Sequence, residues 1–216
     1  MVLAGYAVKA LTEELSASHA RDSPRRARRE PESESMEKTT IICDTRQHDG
    51  KHRKKEQWFH ENGIRTIRSK LPMGDYALLT DLSRVVDTKR NLQELVGNLI
   101  HDHERFRREA DFCKENGIEL VVLIEEEGMK TLEDVKKWEN PRLHYYNKVR
   151  YMHRIGKWQN VPEPDQKPPT SNTTLYKIMR TFSERHSTRF EFCDPKDAGR
   201  RIVEILKEGS ERHNDK

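Results

Sequence analysis

The sequence predicts an α/β fold in which a mixed central β-sheet is flanked by helices. Short apolar runs rich in β-branched residues alternate along the chain with longer segments whose apolar residues recur at helical spacing. One of these runs, "IELVVLIEEE" at residues 118–127, is apolar almost without interruption, which is typical of a strand that is covered on both faces. Strands and helices that alternate in this way predict a sheet with helices packed against it.

The first half of the predicted sheet comes from strands at either side of one helix. "TTIICD" at 39–44 is a β-branched run that predicts a buried strand, and it ends in Asp44. A helix is expected over 51–63, where Gly63 closes it. The turn sequence "TDLS" then predicts a hairpin, and the strands of this region are "IRTIRSKL" (64–71), "DYALLT" (75–80) and "RVVDTK" (84–89).

The second half is predicted to be mainly helical around the central strand. Asn91 is placed to cap a helix, and this helix or a successor runs on to Gly117. Its apolar stripe consists of Leu92, Leu95, Val96, Leu99 and Ile100. The later elements are a short helix begun by Thr131, a helix over 173–186, a strand over 188–193, and a closing helix that Asp194 caps, with Pro195 in its first position.

Composition limits the folded part of the chain. Of the 216 residues, 33% are hydrophobic and 36% are charged, so we expect a folded part that is smaller than the whole. Residues 1–38 carry seven basic and seven acidic residues, and this polar composition predicts a disordered extension whose first 35 residues are dispensable for folding. We expect the folded domain over 39–207, with an insertion near 140–172, and a flexible tail over 208–216.

No membrane partner is expected. The opening "MVLAGYAVKALTEEL" is too short and too interrupted for a membrane span or for the apolar core of a signal peptide. Cys43, Cys113 and Cys193 lie far apart without a C-x-x-C pair, which predicts buried thiols in a reducing, cytoplasmic compartment. His101 and His103 would point apart on a helix, so we do not expect a histidine metal site there.

Two acids and a lysine stand out on neighbouring predicted strands. Asp87 and Lys89 are two residues apart, so both side chains leave the same face of one strand, and the hairpin brings Asp75 close if the register is right. Two carboxylates and an ammonium suit Mg²⁺ or Mn²⁺, which prefer oxygen ligands and retain waters that attack phosphate. The alternative is a turn at Gly74 and a plain surface ion pair between Asp87 and Lys89.

The order and spacing of these motifs resemble the nuclease domain of the XPF family (ERCC4-type), which belongs to the PD-(D/E)XK superfamily of restriction-like nucleases. The resemblance covers about residues 39–207 and implies a restriction-endonuclease-like core. The apolar "LVVLIEEE" and the later "LYKIMRTFSERHSTRFEFC" are similar to the later core of the family. The motifs that carry it are Asp44-Thr45-Arg46, Gly74-Asp75-Tyr76, Val86-Asp87-Thr88-Lys89 and Glu94-Leu95.

The resemblance implies a role for each acid of the site. The implied metal ligands are Asp75, Asp87 and, at the edge of the site, Asp44; the implied catalytic residues are Asp75, Asp87, Lys89 and the helix acid Glu94. The chain departs from the family pattern at two positions. Thr88 stands where the family commonly has Arg, and Gln47 stands where a Glu often follows the first Arg.

Two basic stretches are candidates for contacts with nucleic acid. "KHRKK" at 51–55 opens the first predicted helix and either contacts phosphates or is a solvated helix end. "PRLHYYNKVRYMHRIGKW" at 141–158 contains five Lys or Arg, four aromatic residues and no acid. It suits single strands or frayed ends, because rings stack on bases while cations contact phosphates; the alternative is an amphipathic helix whose tyrosines pack on the core. The predicted contact residues are Arg46, Lys51, Arg53, Lys54, Tyr146, Lys148, Arg150, Arg154 and Lys157.

The expected function is that of a metal-dependent DNA endonuclease that uses Mg²⁺ or Mn²⁺ and acts on branched, distorted or partly single-stranded DNA. The main alternative is a catalytically inactive nuclease-fold module that binds DNA as a subunit of a larger complex. An RNA-directed nuclease and a protein adaptor are further alternatives, and the acid-free basic stretch disfavours the adaptor. The assembly implied for this chain is either a homodimer or a larger nuclease complex.

Overall fold

The computed structural model describes residues 39–47, 50, 52–165 and 167–214, with side chains described up to residue 208. The chain divides into two compact units. The first contains the chain up to residue 87 together with 112–120 and 199–216, and the second contains 88–111 and 121–198. The predicted extension at 1–38 and the predicted contact residue Lys51 lie outside the described residues.

The first unit contains the parallel and antiparallel pairings of the early strands. Its elements are β1 (Thr40–Asp44), α1 (Arg53–Glu61), β2 (Arg65–Ser69), β3 (Tyr76–Leu78), all but the last two residues of β4 (Arg84–Lys89), and nearly all of the closing helix α6 (Ala198–Asn214). Strand β1 is parallel to β2 and antiparallel to β3, and β3 pairs with β4 as the predicted hairpin, with Tyr76 opposite Val86. The first unit therefore brings Asp44, at the end of β1, and the start of β3 to neighbouring strands.

The second unit is mainly helical. Its elements are α2 (Leu92–Val96), a π-helical turn (Gly97–His101), most of α3 (His103–Glu115) and of β5 (Glu119–Glu125), a 3-10 helix (Leu132–Lys137), α4 (Pro141–Arg154), α5 (Asn172–His186) and β6 (Arg189–Cys193). Strand β6 is parallel to β5, with Val121 opposite Arg189. Asn91 caps α2 as predicted, because its side chain accepts a hydrogen bond from the Glu94 backbone N–H (2.8 Å).

The described strands form one mixed six-stranded sheet in the order β2-β1-β3-β4-β5-β6, which confirms the predicted fold class. The five central residues of β5 are all buried, as the uninterrupted apolar run predicted. All three cysteines are buried and free, as expected. None of the helices in the described part of the chain is long and apolar enough to cross a bilayer.

The apolar stripe of the helix after Asn91 differs from the prediction at Ile100, which is 38% exposed. The chain leaves α-helical geometry at the π-helical turn, where the Asp102 N–H donates to the Gly97 carbonyl oxygen (3.0 Å). A π-turn is wider than an α-helical turn. The extra width turns Ile100 away from the buried face that Leu99 occupies.

The closing helix also differs from the prediction at both ends. Asp194 does not cap it: the Asp194 side chain accepts a hydrogen bond from the Gly128 N–H (3.1 Å), and the helix begins four residues later, at Ala198. At its C-terminal end the helix continues through Gly209 to Asn214, into the segment expected to be a flexible tail. A glycine lowers the stability of a helix without ending it.

Candidate active site and nucleic-acid surface

Gly74 sets the position of Asp75 against strand β4. Gly74 has a φ of +72°, and a Cβ atom at this position would lie 3.2 Å from both the Val85 Cβ atom and the Val86 carbonyl oxygen. The Asp75 N–H then donates to that same Val86 oxygen (2.8 Å). A glycine is required because other residues disfavour a left-handed backbone and lack the space. The backbone of Asp75 is thereby held beside the residue that precedes Asp87.

The carbonyl group of Asp75 is fixed from the opposite side. It accepts hydrogen bonds from the Asp44 N–H (2.9 Å) and from Nε2 of Gln47 (2.9 Å). Gln47 is only 8% exposed, and its own carbonyl oxygen accepts from Arg68 (3.1 Å). Sequence reasoning noted Gln47 only as a departure from the family pattern. Its role as a support for Asp75 depends on a contact 28 residues away, which no local signal indicates.

Strand β4 carries Asp87 and Lys89 on one face. Val86 and Thr88 are buried, whereas Asp87 and Lys89 are both half-buried, which is the alternation that an extended strand produces. The Lys89 Nζ atom lies 5.7 Å from the centre of the Phe106 ring. Asp87 and Lys89 are therefore partly enclosed rather than fully exposed.

Asp44, at the end of β1, is paired with Arg46. The Asp44 carboxylate is 1% exposed and forms an ion pair with Arg46. Its Oδ1 accepts from the Arg46 backbone N–H (2.7 Å), and its Oδ2 accepts from Nε of Arg46 (2.9 Å). The guanidinium also donates to the Leu71 carbonyl oxygen (2.9 Å). Both carboxylate oxygens thus accept hydrogen bonds from Arg46, whose side chain is 53% exposed. The role of Asp44 as a metal ligand and that of Arg46 as a contact to DNA stay predictions.

Glu94 lies in the second unit at the start of α2. Its Oε2 accepts hydrogen bonds from the Arg90 backbone N–H (2.9 Å) and from Nε of Arg90 (3.3 Å). Burial raises the pKa of Glu94, but the hydrogen bonds from Arg90 outweigh this effect and hold the pKa below its ordinary value. Glu94 is outside the core, and it is ionised at neutral pH. Its catalytic role stays a prediction.

Helix α2 has a second anchor that sequence reasoning missed. Oε2 of Glu126 accepts a hydrogen bond from the Leu92 backbone N–H (2.7 Å). Leu92 is the first residue of α2, so a carboxylate there satisfies a free N–H group and interacts favourably with the helix dipole. The acidic end of "LVVLIEEE" was the available signal, but nothing local shows that it meets α2.

The carboxylates of the first unit fit a magnesium-type site better than an all-protein cage. No group of three or more His, Cys, Asp or Glu residues suited to a metal is present in the described residues. The predicted ligands are Asp75, Asp87 and, at the edge of the site, Asp44, which is paired with Arg46. Mg²⁺ retains several waters and is commonly bound through one or two carboxylates. The residues present therefore suit this ion.

The basic-aromatic stretch of the predicted insertion contains helix α4. Asn140 caps the helix by accepting from the Arg142 N–H (3.0 Å), and Pro141 is in its first turn. Tyr146 is only 6% exposed, and Val149 is buried beside it on the same face. Tyr146 therefore packs on the core, and we correct its predicted role as a contact to nucleic acid.

The opposite side of α4 presents rings and cations to solvent. Four of the five large apolar side chains that are exposed among the described residues lie here: Tyr145, Tyr151, Ile155 and Trp158. Arg154 lies 5.4 Å from the Tyr151 ring centre and Lys148 lies 5.3 Å from that of Trp158. A concentration of exposed apolar side chains is typical of an interaction site.

The cations of this region lack carboxylate partners. We define the α4 surface as Arg142, Lys148, Arg150, Arg154 and Lys157 together with Tyr145, Tyr151 and Trp158. None of these five cations forms an ion pair with any carboxylate of the described residues. By contrast, Lys136 and Arg180 of the same unit each pair with a neighbouring glutamate. The cations of the α4 surface are therefore not held in ion pairs within the described part of the chain, although Glu163 and Asp165 line the same pocket as Arg150 and Arg154.

The first turn of α1 places two of the other predicted contacts at the surface. Arg53 and Lys54 are both exposed, whereas Lys55 is only 5% exposed. The structure thus leaves Arg53 and Lys54 accessible to a phosphate. Because an exposed helix end is equally consistent with simple solvation, contact with nucleic acid stays a prediction here.

Comparison with known proteins identifies the family. A family model described as "ERCC4 domain" matches residues 43–198, well over half of the chain. XPF from Aeropyrum pernix matches at 19% identity with a TM-score of 0.50, covering 82% of this chain and 67% of that one. XPF from Aeropyrum pernix in complex with DNA matches at 15% identity with a TM-score of 0.50, covering 81% and 66%. The chain thus spans about two thirds of the length of these structures, whose likeness shows a shared fold, and no curated protein matches it. The chain belongs to the ERCC4 domain family.

Proposed function

We propose that the protein is a metal-dependent DNA endonuclease whose site is formed by Asp75, Asp87 and Lys89. The observation that carries this proposal is the position of Asp75. Two backbone hydrogen bonds, Gln47 and a glycine at which a Cβ atom would crowd Val85 and Val86 hold Asp75 beside β4, next to the face that carries Asp87 and Lys89. A simple surface turn would not need this much support. Membership of the ERCC4 domain family supports the same conclusion.

The carboxylates of Asp75 and Asp87 would hold Mg²⁺ or Mn²⁺. When bound, such an ion supplies an activated water and neutralises the charge that develops on phosphate oxygens. The residues themselves orient the site. The three hydrogen bonds at Asp75 restrict its backbone, and the strand geometry of β4 sets the direction of Asp87.

Lys89 would stabilise negative charge on the phosphate in the transition state. Its ammonium is half-buried and lies near the apolar ring of Phe106, where electrostatic interactions are less screened than in water. A cation placed where charge develops is worth more in the transition state than in the ground state. Lys89 is therefore expected to contribute to turnover more than to binding.

The α4 surface is the proposed contact to DNA. Its cations lack carboxylate partners among the described residues, and its exposed rings can stack on unpaired bases. This combination favours branched, distorted or partly single-stranded DNA over a plain duplex. One of the similar structures is XPF in complex with DNA, which agrees with DNA as the ligand class.

A catalytically inactive DNA-binding module is the second candidate, and a specific observation favours it. The family resemblance adds two further acids to the site, and each forms an ion pair with an arginine: Asp44 with Arg46, and Glu94 with Arg90. If catalysis needs either carboxylate as a ligand, this chain would bind DNA without cutting it.

A cleavage assay combined with calorimetry distinguishes the two candidates. Labelled forks, flaps, single strands and duplexes are incubated with and without Mg²⁺ or Mn²⁺, and metal binding is titrated separately. For the endonuclease, Lys89→Ala should retain metal and DNA binding but lose most turnover, and Asp87→Asn should also lose metal binding. Lys136→Ala, at an exposed ion pair, is the matched control and should behave as wild type.

Two results would overturn the endonuclease. One is full cleavage by Lys89→Ala, purified free of contaminating nuclease. The other is metal-independent DNA binding by the wild type with no cleavage of any substrate, which would support the inactive module.

A further inference from the structure

A cavity of about 370 Å³ lies in the second unit between helices α3 and α5. Its cationic lining comprises Arg107, Lys177 and Arg185, and the imidazoles of His103 and His186 also face it. No acidic residue lines it. The volume is within the range of small-molecule sites and is much larger than a single inorganic anion needs.

The floor of the cavity is aromatic and firmly packed. Phe182 is only 3% exposed and stacks on Phe106, with the ring centres 5.1 Å apart and the planes at 19°. The His186 ring lies 4.5 Å from Phe182. A planar apolar ligand group would therefore meet a preformed surface, which keeps the entropic cost of binding low.

Two cations of the cavity lining have no ion-pair partner in the part of the chain that the structure describes. Arg107 and Lys177 are exposed, and neither forms an ion pair with a carboxylate of the described residues. On the same helix, Arg180 points elsewhere and pairs with Glu184 (2.9 Å). Lys177 thus differs from Arg180 in having no ion-pair partner among the described residues, and together with Arg107 it is suited to a phosphate group.

His186 is held in one orientation. Its Nδ1 atom lies 2.5 Å from Oδ1 of Asp111, and its side chain is 13% exposed. With Nδ1 occupied by the carboxylate, Nε2 is the ring nitrogen that can meet a ligand. A partner carboxylate of this kind fixes a histidine as a directed hydrogen-bonding group rather than as a freely rotating one.

We propose that this cavity binds a nucleoside 5′-phosphate. The phosphate would meet Arg107 and Lys177, and the base would pack on the Phe182 floor within reach of His186. A free mononucleotide and the 5′-phosphorylated end of a DNA strand share this chemistry, so either can supply the ligand. The cavity lining shares no residue with the proposed active site or with the α4 surface, and its occupation does not depend on the proposed nuclease activity.

Calorimetric titration of the full chain tests the site with defined probes. The probes are deoxyadenosine 5′-monophosphate, deoxyadenosine, inorganic phosphate, and a short single strand with either a 5′-phosphate or a 5′-hydroxyl. We expect the monophosphate to bind at least about tenfold more tightly than the nucleoside or phosphate alone, since it uses both the floor and the cations. A stronger response to the 5′-phosphorylated strand than to the monophosphate supports a strand end as the ligand. The reverse order supports a free nucleotide.

Paired charge-removal variants locate the binding. Arg107→Gln with Lys177→Gln should weaken binding of the monophosphate by at least about tenfold. Arg180→Gln with Lys136→Gln removes the same charge from cations that already pair with glutamates, and it should leave this affinity unchanged. All four side chains are exposed, and a thermal melt of each variant checks that it remains folded.

Three results would overturn the inference. They are a monophosphate affinity no higher than that of inorganic phosphate, an unchanged affinity in the Arg107 and Lys177 variant, and an equal loss in the control. The titration is made in EDTA and depends on neither metal binding nor cleavage. Failure of the nuclease assignment therefore leaves this test intact, and failure here leaves the nuclease assignment intact.

Discussion

Replacement of Arg150, Arg154 and Lys157 by alanine tests the α4 surface through the salt dependence of DNA binding. None of these three cations pairs with a carboxylate of the described residues. Each is therefore free to replace a counterion on a phosphate when DNA binds. The loss of all three should change the number of released counterions, and this number is measured directly by the slope of log affinity against log salt concentration.

The expected magnitude follows from the number of cations. Each phosphate contact contributes about 0.7 to the slope for a single strand and about 0.9 for duplex DNA. Three lost contacts should flatten the slope by about 2.1 to 2.7. Between about 50 and 200 mM salt, a fourfold change, the wild type should lose about 20 to 40 times more affinity than the variant.

Fluorescence anisotropy with labelled forks and single strands, in EDTA to prevent cleavage, measures these slopes. The matched control replaces Lys136, Lys137 and Arg180 by alanine. This variant loses the same charge, but each of its three cations pairs with an acid in the wild type. Its slope should remain close to that of the wild type. An unchanged slope in the α4 variant, or equal flattening in the control, would refute the assignment of this surface.

Three further predictions concern the support of the site and the core. Gly74→Ala should lower the free energy of unfolding by more than the ~1–2 kcal/mol that a left-handed alanine costs, because the new Cβ atom would crowd the Val86 carbonyl oxygen. The control Gly63→Ala has open space around it and should cost only ~1–2 kcal/mol in urea unfolding. Equal losses in the two variants would contradict the packing argument. Arg84→Met should lower the free energy of unfolding by ~3–5 kcal/mol, since the buried guanidinium donates to Glu119 (2.7 Å) and to the Ile205 carbonyl oxygen (2.6 Å). A decrease below ~1 kcal/mol in the same urea assay would contradict this prediction. Burial raises the pKa of Cys43 to about 12, so iodoacetamide at about pH 8.5 should label this thiol only when the protein unfolds, and rapid labelling of the native protein would show that the thiol is accessible.

Local patterns were sufficient for most of the secondary structure and for the residues on β4. "TTIICD" became β1, "RVVDTK" became β4, and the two-residue spacing placed Asp87 and Lys89 on one face. These predictions succeed because strand alternation and helix capping depend on neighbours within a few residues. The same patterns missed the π-helical turn that exposes Ile100, since a change from α to π geometry is set by packing and leaves no residue signature.

Local sequence patterns did not predict which groups the polar side chains contact. Asp44 was predicted to be a metal ligand and Glu94 a catalytic residue, and the structure pairs each of these carboxylates with an arginine. Arg46 is held in turn by the carbonyl of Leu71, 25 residues away. Tyr146 has the same chemistry as Tyr145 and Tyr151, and only the packing of α4 decides which ring is buried.

The α/β class, the hairpin and the acid-glycine-lysine motifs follow from the order of the residues, because backbone geometry restricts each of them locally. The enclosure of Lys89 beside Phe106, the clamp of Gln47 on Asp75 and the unpaired cations of α4 depend instead on contacts between distant segments. Burial and charge pairing are properties of the whole packing arrangement, and a carboxylate or a cation acquires its function only when folding determines which groups surround it.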